Sequence, residues 1–518
     1  MFRSKNVAAR IFDRQIRTRA PGTSVHCARQ FYENIVPSYT IYDVECPDHV
    51  FRKITDDGQY LISFSINLRD LIVYRPSWLS YSCKGEDCDL PLRAKKFESF
   101  FTELYRVSLA SNNEGICKYF FLYMEGNQFG LFATSTAQIP GVLYIEKITF
   151  HLLRLEDGVI LDKKVFQNDY VDLVHNTGVF LYDDLLAVVS FHHQTIHILQ
   201  IRESGSLVDV RAIGAFCHED DELFINFSTQ GITVHQMSED HIENNLANNL
   251  SNPENSFLGS IKQRLLSFIF QAIWNEEKDK TLRYQCLKKK FYFHFRDYAE
   301  LRICKAQFLD RHHLLIKFGS VDGEPQGSRS PDHHPSFFAV YNMETTEIVA
   351  FYQNSADQLY LLFEQFCDHF YTPSRYSLHM NFISSHANNV HASEQLRSIK
   401  NKASSFSPFV KKMTTLLPFS CQSLSPSPYF DQYLFRFDEK LISASDRHKQ
   451  STDHPIKFIL RRQPYTLKFK IKPGPEGGGV DGRARKFYSF LFHPFLPLAV
   501  SIQHTMYFQP SMNIHFRR

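Results

Sequence analysis

The sequence predicts an all-β fold of repeated antiparallel units carrying α-helical insertions, and three observations predict it. Short apolar stretches recur along most of the chain, each closed off by Gly, Pro, Asn or Asp. The aromatic content rests on 48 Phe and 25 Tyr against 2 Trp, a bias that suits strands buried on at least one face. Nearly the same phrase stands beside both ends: FRKITDDGQYLISFS at 51–65 and FLFHPFLPLAVSIQ at 490–503. Each has an aromatic lead-in, a turn and an alternating apolar run. At 518 residues the chain exceeds the ~100–200 residues of one ordinary domain. Repeat architectures escape that bound, because one core grows by adding units.

The first strand signal is YTIYDVE (39–45). FRKITDDGQYLISFS then reads strand, turn at Asp57-Gly58, strand, since Asp-Gly supplies the positive φ angles of a two-residue hairpin. LIVYRP (71–76) closes the unit. FFLYMEGNQFGLFATST (120–136) turns at Gly126-Asn127, and ITFHLLRLEDGVILDKKVF (148–166) at Asp157-Gly158. The clearest unit is 178–214, where LLAVVS and TIHILQI flank a polar loop and Gly205 leads into LVDVRAI. The rhythm continues in AQFLDRHHLLIKFGS with SFFAVYNMETTEIVAFY, then in YLFRFDEKLISAS with IKFILR and YTLKFKI. It closes with KFYSFLFHPFLPLAVSIQ and NIHFR. Six or seven such units, at ~40–45 residues for a four-stranded blade, point to a WD40-like β-propeller over residues 30–518. Neither a WD nor a GH dipeptide occurs, so the blades, taken as seven, are degenerate. A ring must join its last unit to its first. The matching phrases are therefore expected to meet across that seam.

Two stretches break the β rhythm. A helical insertion is expected over 250–305, where Leu258, Ile261, Leu265, Phe268 and Ile269 fall on one helical stripe. A second, helical or flexible, is expected over 355–417. It opens with a capping box from Ser355 to Gln358 and continues with Leu359, Leu362, Phe363, Phe366 and Phe370 on one side, until Pro373. Leu359, Leu362, Phe363 and Phe366 are its candidate partner-binding residues. Residues 1–25 form a third special segment. Arg3, Lys5, Arg10, Arg14, Arg17, Arg19 and Arg29 stand against Asp13 alone within 1–31, although the whole chain carries only +3. Within it NVAARIFDRQIRTR is a short amphipathic helix, with Val7, Ile11, Phe12 and Ile16 beside an arginine row, and Pro21-Gly22 end it. Such a helix is marginal alone and needs a groove.

Composition excludes several classes of function. No nucleotide-binding loop, G-x-S-x-G elbow or H-E-x-x-H pair occurs, so no catalytic residue, metal or cofactor is assigned and no enzyme is expected. Cys83 and Cys88 lack two further ligands for zinc. His193 and His197, four apart on a strand, would lie ~13 Å from each other, and no carboxylate partner for His312-His313 is evident. The acidic HEDDE (218–222) and the basic KKK (288–290), KK (411–412) and RARK (483–486) read as solvated faces. Ten scattered Cys and no secretory signal suit a reducing compartment. No membrane span is read, since the most apolar stretch, 256–274, is broken by Lys262, Gln263 and Arg264. The basic arm also has the composition of a mitochondrial transit peptide.

The longer phrases carry a resemblance. NVAARIFDRQIRTRAPGT, FRKITDDGQYLISFS, QTIHILQI with LVDVRAIGAFCHEDD, FFAVYNMETTEIVAFYQNSADQLYLLFEQFCDHF, SPYFD and FHPFLPLAVSIQHT together resemble the de-etiolated-one family, and within it the insect member, abnormal oocyte. The resemblance implies a nuclear, non-enzymatic substrate receptor of cullin-four RING ubiquitin ligases that represses transcription, with histone genes a candidate target. It implies as partners the ligase's propeller adaptor (the damage-specific DNA-binding adaptor), a small adaptor-associated subunit, a ubiquitin-conjugating E2 or E2 variant, and the constitutive-photomorphogenic RING ligase. The family's adaptor-docking pattern falls on Asn6, Val7, Arg10, Ile11, Arg14 and Ile16, with Phe12 beside them. Segments 77–96 and 372–410 match nothing in the pattern, and Thr55-Asp56 replaces a common Ser-Pro. The alternative is a chromatin-bound repressor that contacts DNA or histones directly through the basic arm, with affinity falling steeply in salt.

Overall fold

The computed structural model describes residues 30–77, 96–111, 113–136, 147–214, 260–319, 336–353, 358–359, 361–362, 417–418, 425, 427–431, 434–438, 441–442, 454–472, 487–504 and 510–517. Among them the chain is mostly β-sheet. Successive strands pair antiparallel with their neighbours, as short connections require. A first meander joins β2 (His49–Ile54), β3 (Leu61–Ser65), β4 (Asp70–Pro76) and β5 (Phe101–Ser108). A second holds β6 (Glu114–Ile116) and β7 (Leu122–Met124), both on β8 (Phe129–Thr136), then β9 (Ile148–Arg154) and β10 (Ile160–Phe166). A third holds β11 (Val179–Tyr182), β12 (Leu185–Ser190), β13 (Thr195–Ile201) and β14 (Leu207–Ile213). The fourth runs β15 (Arg302–Phe308), β16 (His313–Gly319), β17 (Ser336–Asn342) and β18 (Glu347–Gln353). The fifth has β19 (Phe435–Arg436), β20 (Ile456–Leu460) and β21 (Leu467–Ile471).

The sixth sheet joins the two ends of the chain and is called the seam sheet below. Its order is β1-β24-β23-β22, with β22 (Phe487–Phe492), β23 (Ala499–His504) and β24 (Ser511–Phe516) from the end of the chain and β1 (Tyr39–Glu45) from its start. Tyr39 opposes Phe516 and Ile41 opposes Ile514. The two ends thus complete one sheet. A seventh sheet, expected from the sequence, has no strands among the described residues.

Cores join neighbouring sheets in chain order. Phe458 and Ile471 of the fifth sheet share a cluster with Phe492 and Ala499 of the seam. Val500 and Ile514 of the seam pack with Phe51 and Ile72 of the first sheet. Phe64 and Val73 of the first meet Tyr123 and Phe132 of the second. The second, third and fourth share the largest cluster, which includes Phe150, Leu186 and Ile316. Polar bonds cross the same junctions. Tyr105 Oη donates to Leu155 O at 2.7 Å, Tyr123 Oη to Asp57 Oδ2 at 2.7 Å, and Leu207 N to Asp162 Oδ2 at 2.7 Å. Ile303 N donates to Gln194 Oε1 at 2.7 Å.

The two matching phrases touch. Gly58 has φ +71°, and a Cβ placed there would stand 2.3 Å from His493 Cε1, so glycine is required both by its backbone and by the approach of the His493 ring. His493 Nε2 lies 3.3 Å from Gly58 O. Burial lowers the His493 pKa to about 4, against a smaller opposing effect of that carbonyl. The turn itself is wider than the expected two-residue hairpin. Strand pairing stops at Ile54 and Leu61. Thr55 N then donates to Tyr60 O at 2.8 Å, while Tyr60 N donates to the Thr55 hydroxyl at 3.0 Å. Asp57 Oδ1 accepts from Thr55 Oγ1 and Gln59 N. Side chains supply the partners that a tight turn would take from the backbone.

Beside this turn, Lys53 Nζ lies 2.9 Å from Asp56 Oδ1, both side chains buried. Neither group has a hydrogen-bond partner beyond this ion pair among the described residues. Arg52, equally buried, donates to Tyr119 O at 3.1 Å across the first junction.

Candidate partner-binding surface

Two surfaces differ in how far their polar and aromatic groups are used up: the seam and the helices between β14 and β15. In the seam Ser501 opposes Asn513, and His515 stands two residues beyond it. His515 Nε2 lies 3.1 Å from Ser501 Oγ and its Nδ1 2.9 Å from Thr40 Oγ1 of β1. Asn513 Oδ1 accepts from Asp43 N. Burial brings the His515 pKa down to about 3, so the ring is neutral and bridges three strands as a hydrogen-bonding group. The second sheet repeats the device. Thr134 opposes Thr149, and His151, two beyond, contacts Thr134 Oγ1 through Nε2 at 2.9 Å. In the third sheet Ser190 and His197 hold the same positions, and Ser190 Oγ donates instead to Asp169 Oδ1 at 2.7 Å. Such buried, partnered groups serve the scaffold.

The helical face is different. α1 (Ser260–Glu276) buries Ile261, Leu265, Leu266 and Ile269 in the core of the middle sheets, the stripe its spacing dictates. Lys262 donates to Ala299 O at 3.3 Å, and its pKa is lowered by burial and then by Arg302. Asp279 caps α2 (Lys280–Cys286) by accepting from Thr281 N at 3.0 Å. A π-helical turn (Leu287–Tyr292) follows, then α3 (Phe295–Ala299). An aromatic ladder holds these pieces down: Trp274 stacks on Phe270, which meets Phe291 edge-on at 5.4 Å, and Phe291 meets Phe295 at 5.8 Å. Tyr298 contacts Phe337 of β17 at 6.1 Å.

The reason for the π turn lies in the sequence. The inward residues Leu287, Phe291, Phe295 and Ala299 recur every fourth position. In a 3.6-residue helix that spacing drifts by about 40° at each step. The wider turn, with Phe293 N donating to Lys288 O at 3.2 Å, offsets the drift. Its other side is left bare: Tyr284 is 67% exposed, Tyr292 62%, Phe293 78% and Leu282 47%. Lys288 and Lys289 are exposed between them. Lys290 pairs with Glu276 at 2.6 Å and Arg296 with Glu300 at 2.7 Å.

The site residues expected from sequence fare unevenly. Asn6, Val7, Arg10, Ile11, Phe12, Arg14 and Ile16 lie outside the described residues, as do Phe363 and Phe366. Leu359 is buried, Leu362 half-buried and Leu361 exposed. The basic run 288–290, read as a plain solvated face, sits on the π turn among exposed aromatics. His193 lies in the turn before β13 rather than on a strand, and His197 stacks edge-on against Phe166. The adjacent histidines do have carboxylates, contrary to expectation: His313 Nδ1 lies 2.9 Å from Asp310 Oδ2 and His312 Nδ1 2.9 Å from Glu344 Oε1. The β17–β18 turn brings Glu344 there, which strand spacing alone does not reveal. Among the described residues no group of three or more His, Cys, Asp or Glu is placed to hold a metal, and no helix is long and apolar enough to cross a membrane.

Residues 118–518 match the family model described as De-etiolated protein 1 Det1. A Light-mediated development protein DET1 from Solanum lycopersicum is 69% identical over the full length of both chains, and one from Arabidopsis thaliana 65% identical, again end to end. The chain belongs to the Det1 family. Both relatives are plant proteins, and the expected nearness to the insect member finds no support in them. Segments 77–96 and 372–410, expected to fall outside the resemblance, lie within these full-length alignments. Among solved structures, an exo-β-1,3-galactanase from Phanerochaete chrysosporium aligns with 62% of this chain and 54% of its own at 8% identity, with a TM-score of 0.24. That likeness is too slight to carry an argument.

Proposed function

We infer that this Det1 family member is a non-enzymatic nuclear scaffold, a substrate receptor that brings a target to a cullin-four RING ubiquitin ligase and thereby represses transcription. In this reading the consecutive sheets are blades of a WD40-like propeller, closed where β1 completes the seam sheet. The amphipathic arm over residues 6–16 docks on the ligase's propeller adaptor, and the helical insertions present a second surface to a conjugating enzyme or target. The task is proximity: joining two binding surfaces on one body raises the effective concentration of each partner for the other. In plants the output would fall in light-mediated development, for which the relatives are named.

The observation that carries this reading is the end-to-end match to Det1 family proteins, combined with a sheet framework that carries exposed aromatic residues on an inserted helical element. The test is affinity purification of the full chain against a chain starting at residue 24, followed by mass spectrometry. Loss of ligase adaptor with the shorter chain supports the reading; equal recovery refutes arm docking. Val7→Asp with Ile11→Asp should abolish adaptor recovery. If Arg10→Glu with Arg14→Glu removes chromatin association and leaves the adaptor bound, the arm contacts chromatin directly instead.

A further inference from the structure

We propose that the π-helical turn and the helix before it form a docking strip for an acidic, apolar protein segment. This rests on reading the helical insertion as a partner surface, and names the chemistry of what it receives. The four-residue spacing that keeps Leu287, Phe291 and Phe295 against the core also sets the outward residues in parallel rows. Tyr284, Lys288 and Tyr292 form one row; Gln285, Lys289 and Phe293 form the next. Each lysine therefore stands one turn from an exposed aromatic ring on the same side.

A strip of this kind costs the free protein something, since exposed Phe and Tyr rings order water without return. Their neighbours do not cover them. Trp274 touches the Tyr284 ring edge-on at 5.6 Å and Phe291 touches Tyr292 at 5.4 Å, which fixes the rings in place while their outer faces stay bare. Arg283 lies over Trp274 at 5.2 Å, so the base of the strip is rigid. π turns recur at functional sites for this reason: they hold side chains at angles that an α-helix does not offer.

Charge decides the occupant. Lys290 and Arg296 are engaged with Glu276 and Glu300, whereas Lys288 and Lys289, like the exposed Lys278 and Lys280 at the start of α2, make no ion pair among the described residues. Two lone ammonium groups beside aromatic anchors fit carboxylates flanked by apolar side chains. A nucleic-acid strand fits less well. Its continuous phosphate charge would have to run past exposed carboxylates of the same insertion, Glu276 at the end of α1 and Asp297 and Glu300 in and after α3. An amphipathic peptide can place single carboxylates opposite the lysines and leave the rest of its length neutral.

The test uses the purified full-length chain, without any ligase component, so that its failure is separate from failure of the ligase reading. Probes are fluorescent helical peptides with Glu and Leu or Phe at four-residue spacing, the same peptides with Lys in place of Glu, and an oligothymidine strand. Anisotropy should show the Glu peptides preferred over the Lys peptides. Lys288→Glu with Lys289→Glu should lower affinity for Glu peptides by about tenfold and raise it for Lys peptides. Tyr292→Ala with Phe293→Ala should weaken both. All four positions are exposed, so the melting temperature should hold. No preference for Glu over Lys peptides, or no reversal in the lysine variant, overturns the proposal. So does oligothymidine binding that is stronger than the peptides and lost in the same variant.

Discussion

The seam and the π-turn strip are both rich in aromatic and titratable groups, yet they spend them differently. At the seam His515 gives one ring nitrogen to Ser501 and the other to Thr40, and His493 seats itself against the Gly58 turn. On the strip Phe293 and Tyr292 face water beside lysines that pair with nothing described. A buried polar group without a partner costs about 1–3 kcal/mol, so inside the protein partners are close to obligatory. On the surface an unspent group costs little. The difference teaches where to look for function: at groups the fold fixes in place but does not use.

The comparison can be broken or sharpened by substitution. The largest effect is expected next to the seam, at the buried pair. Asp56→Ala should destabilise the protein by about 3–5 kcal/mol in chemical denaturation, because Lys53 is left buried and unpaired. Lys53→Met with Asp56→Leu should recover most of that loss. Next is acid sensitivity. His515 and His493 have folded-state pKa values of about 3 and about 4 against an ordinary 6.5, so below pH 6.5 the unfolded chain binds protons that the folded one refuses. Stability is therefore full above 6.5 and falls with pH, by about 1.4 kcal/mol per unit for each ring until its folded pKa is reached. His515→Asn should flatten the slope measured by thermal unfolding across pH 5–6.5.

Gly58→Ala should cost roughly 1–3 kcal/mol through its left-handed backbone and the His493 contact. It should also raise amide exchange in β23 and β2 together. The strip gives the smallest structural response. Tyr292→Ala, Phe293→Ala and the two lysine reversals should each stay within about 0.5 kcal/mol of wild-type stability. If any of them unfolds the helices, the strip is part of the core and the comparison fails.

Much of this was legible in the sequence because it depends on local order. β12, β13 and β14 begin and end within a residue or two of the alternating runs that announced them, and Ile261, Leu265 and Ile269 bury the stripe their spacing describes. The meeting of the ends was legible too, from one phrase written twice. What escaped depends on partners distant in sequence. Thr134 and Ser501 gave no sign that a histidine on the next strand, two places past register, would bond them. Lys53 and Asp56 look like solvated charges until the packing around β2 and its following turn is known to bury them. The run Lys288–Lys290 looked featureless because its meaning comes from the π turn, and that turn follows from a four-residue apolar spacing easily mistaken for ordinary helix. The arm over residues 6–16 was the clearest docking site expected from the sequence, and it lies outside the described residues.

Hydrogen–deuterium exchange on the full chain and on a chain ending at residue 510 tests the closure most directly. Removing β24 should expose the amides of β1, more than four hundred residues away, and loosen β23, while β12 and β13 of the third sheet stay protected. If β1 keeps its protection without β24, or exchanges fast even in the full chain, the two ends do not close one sheet.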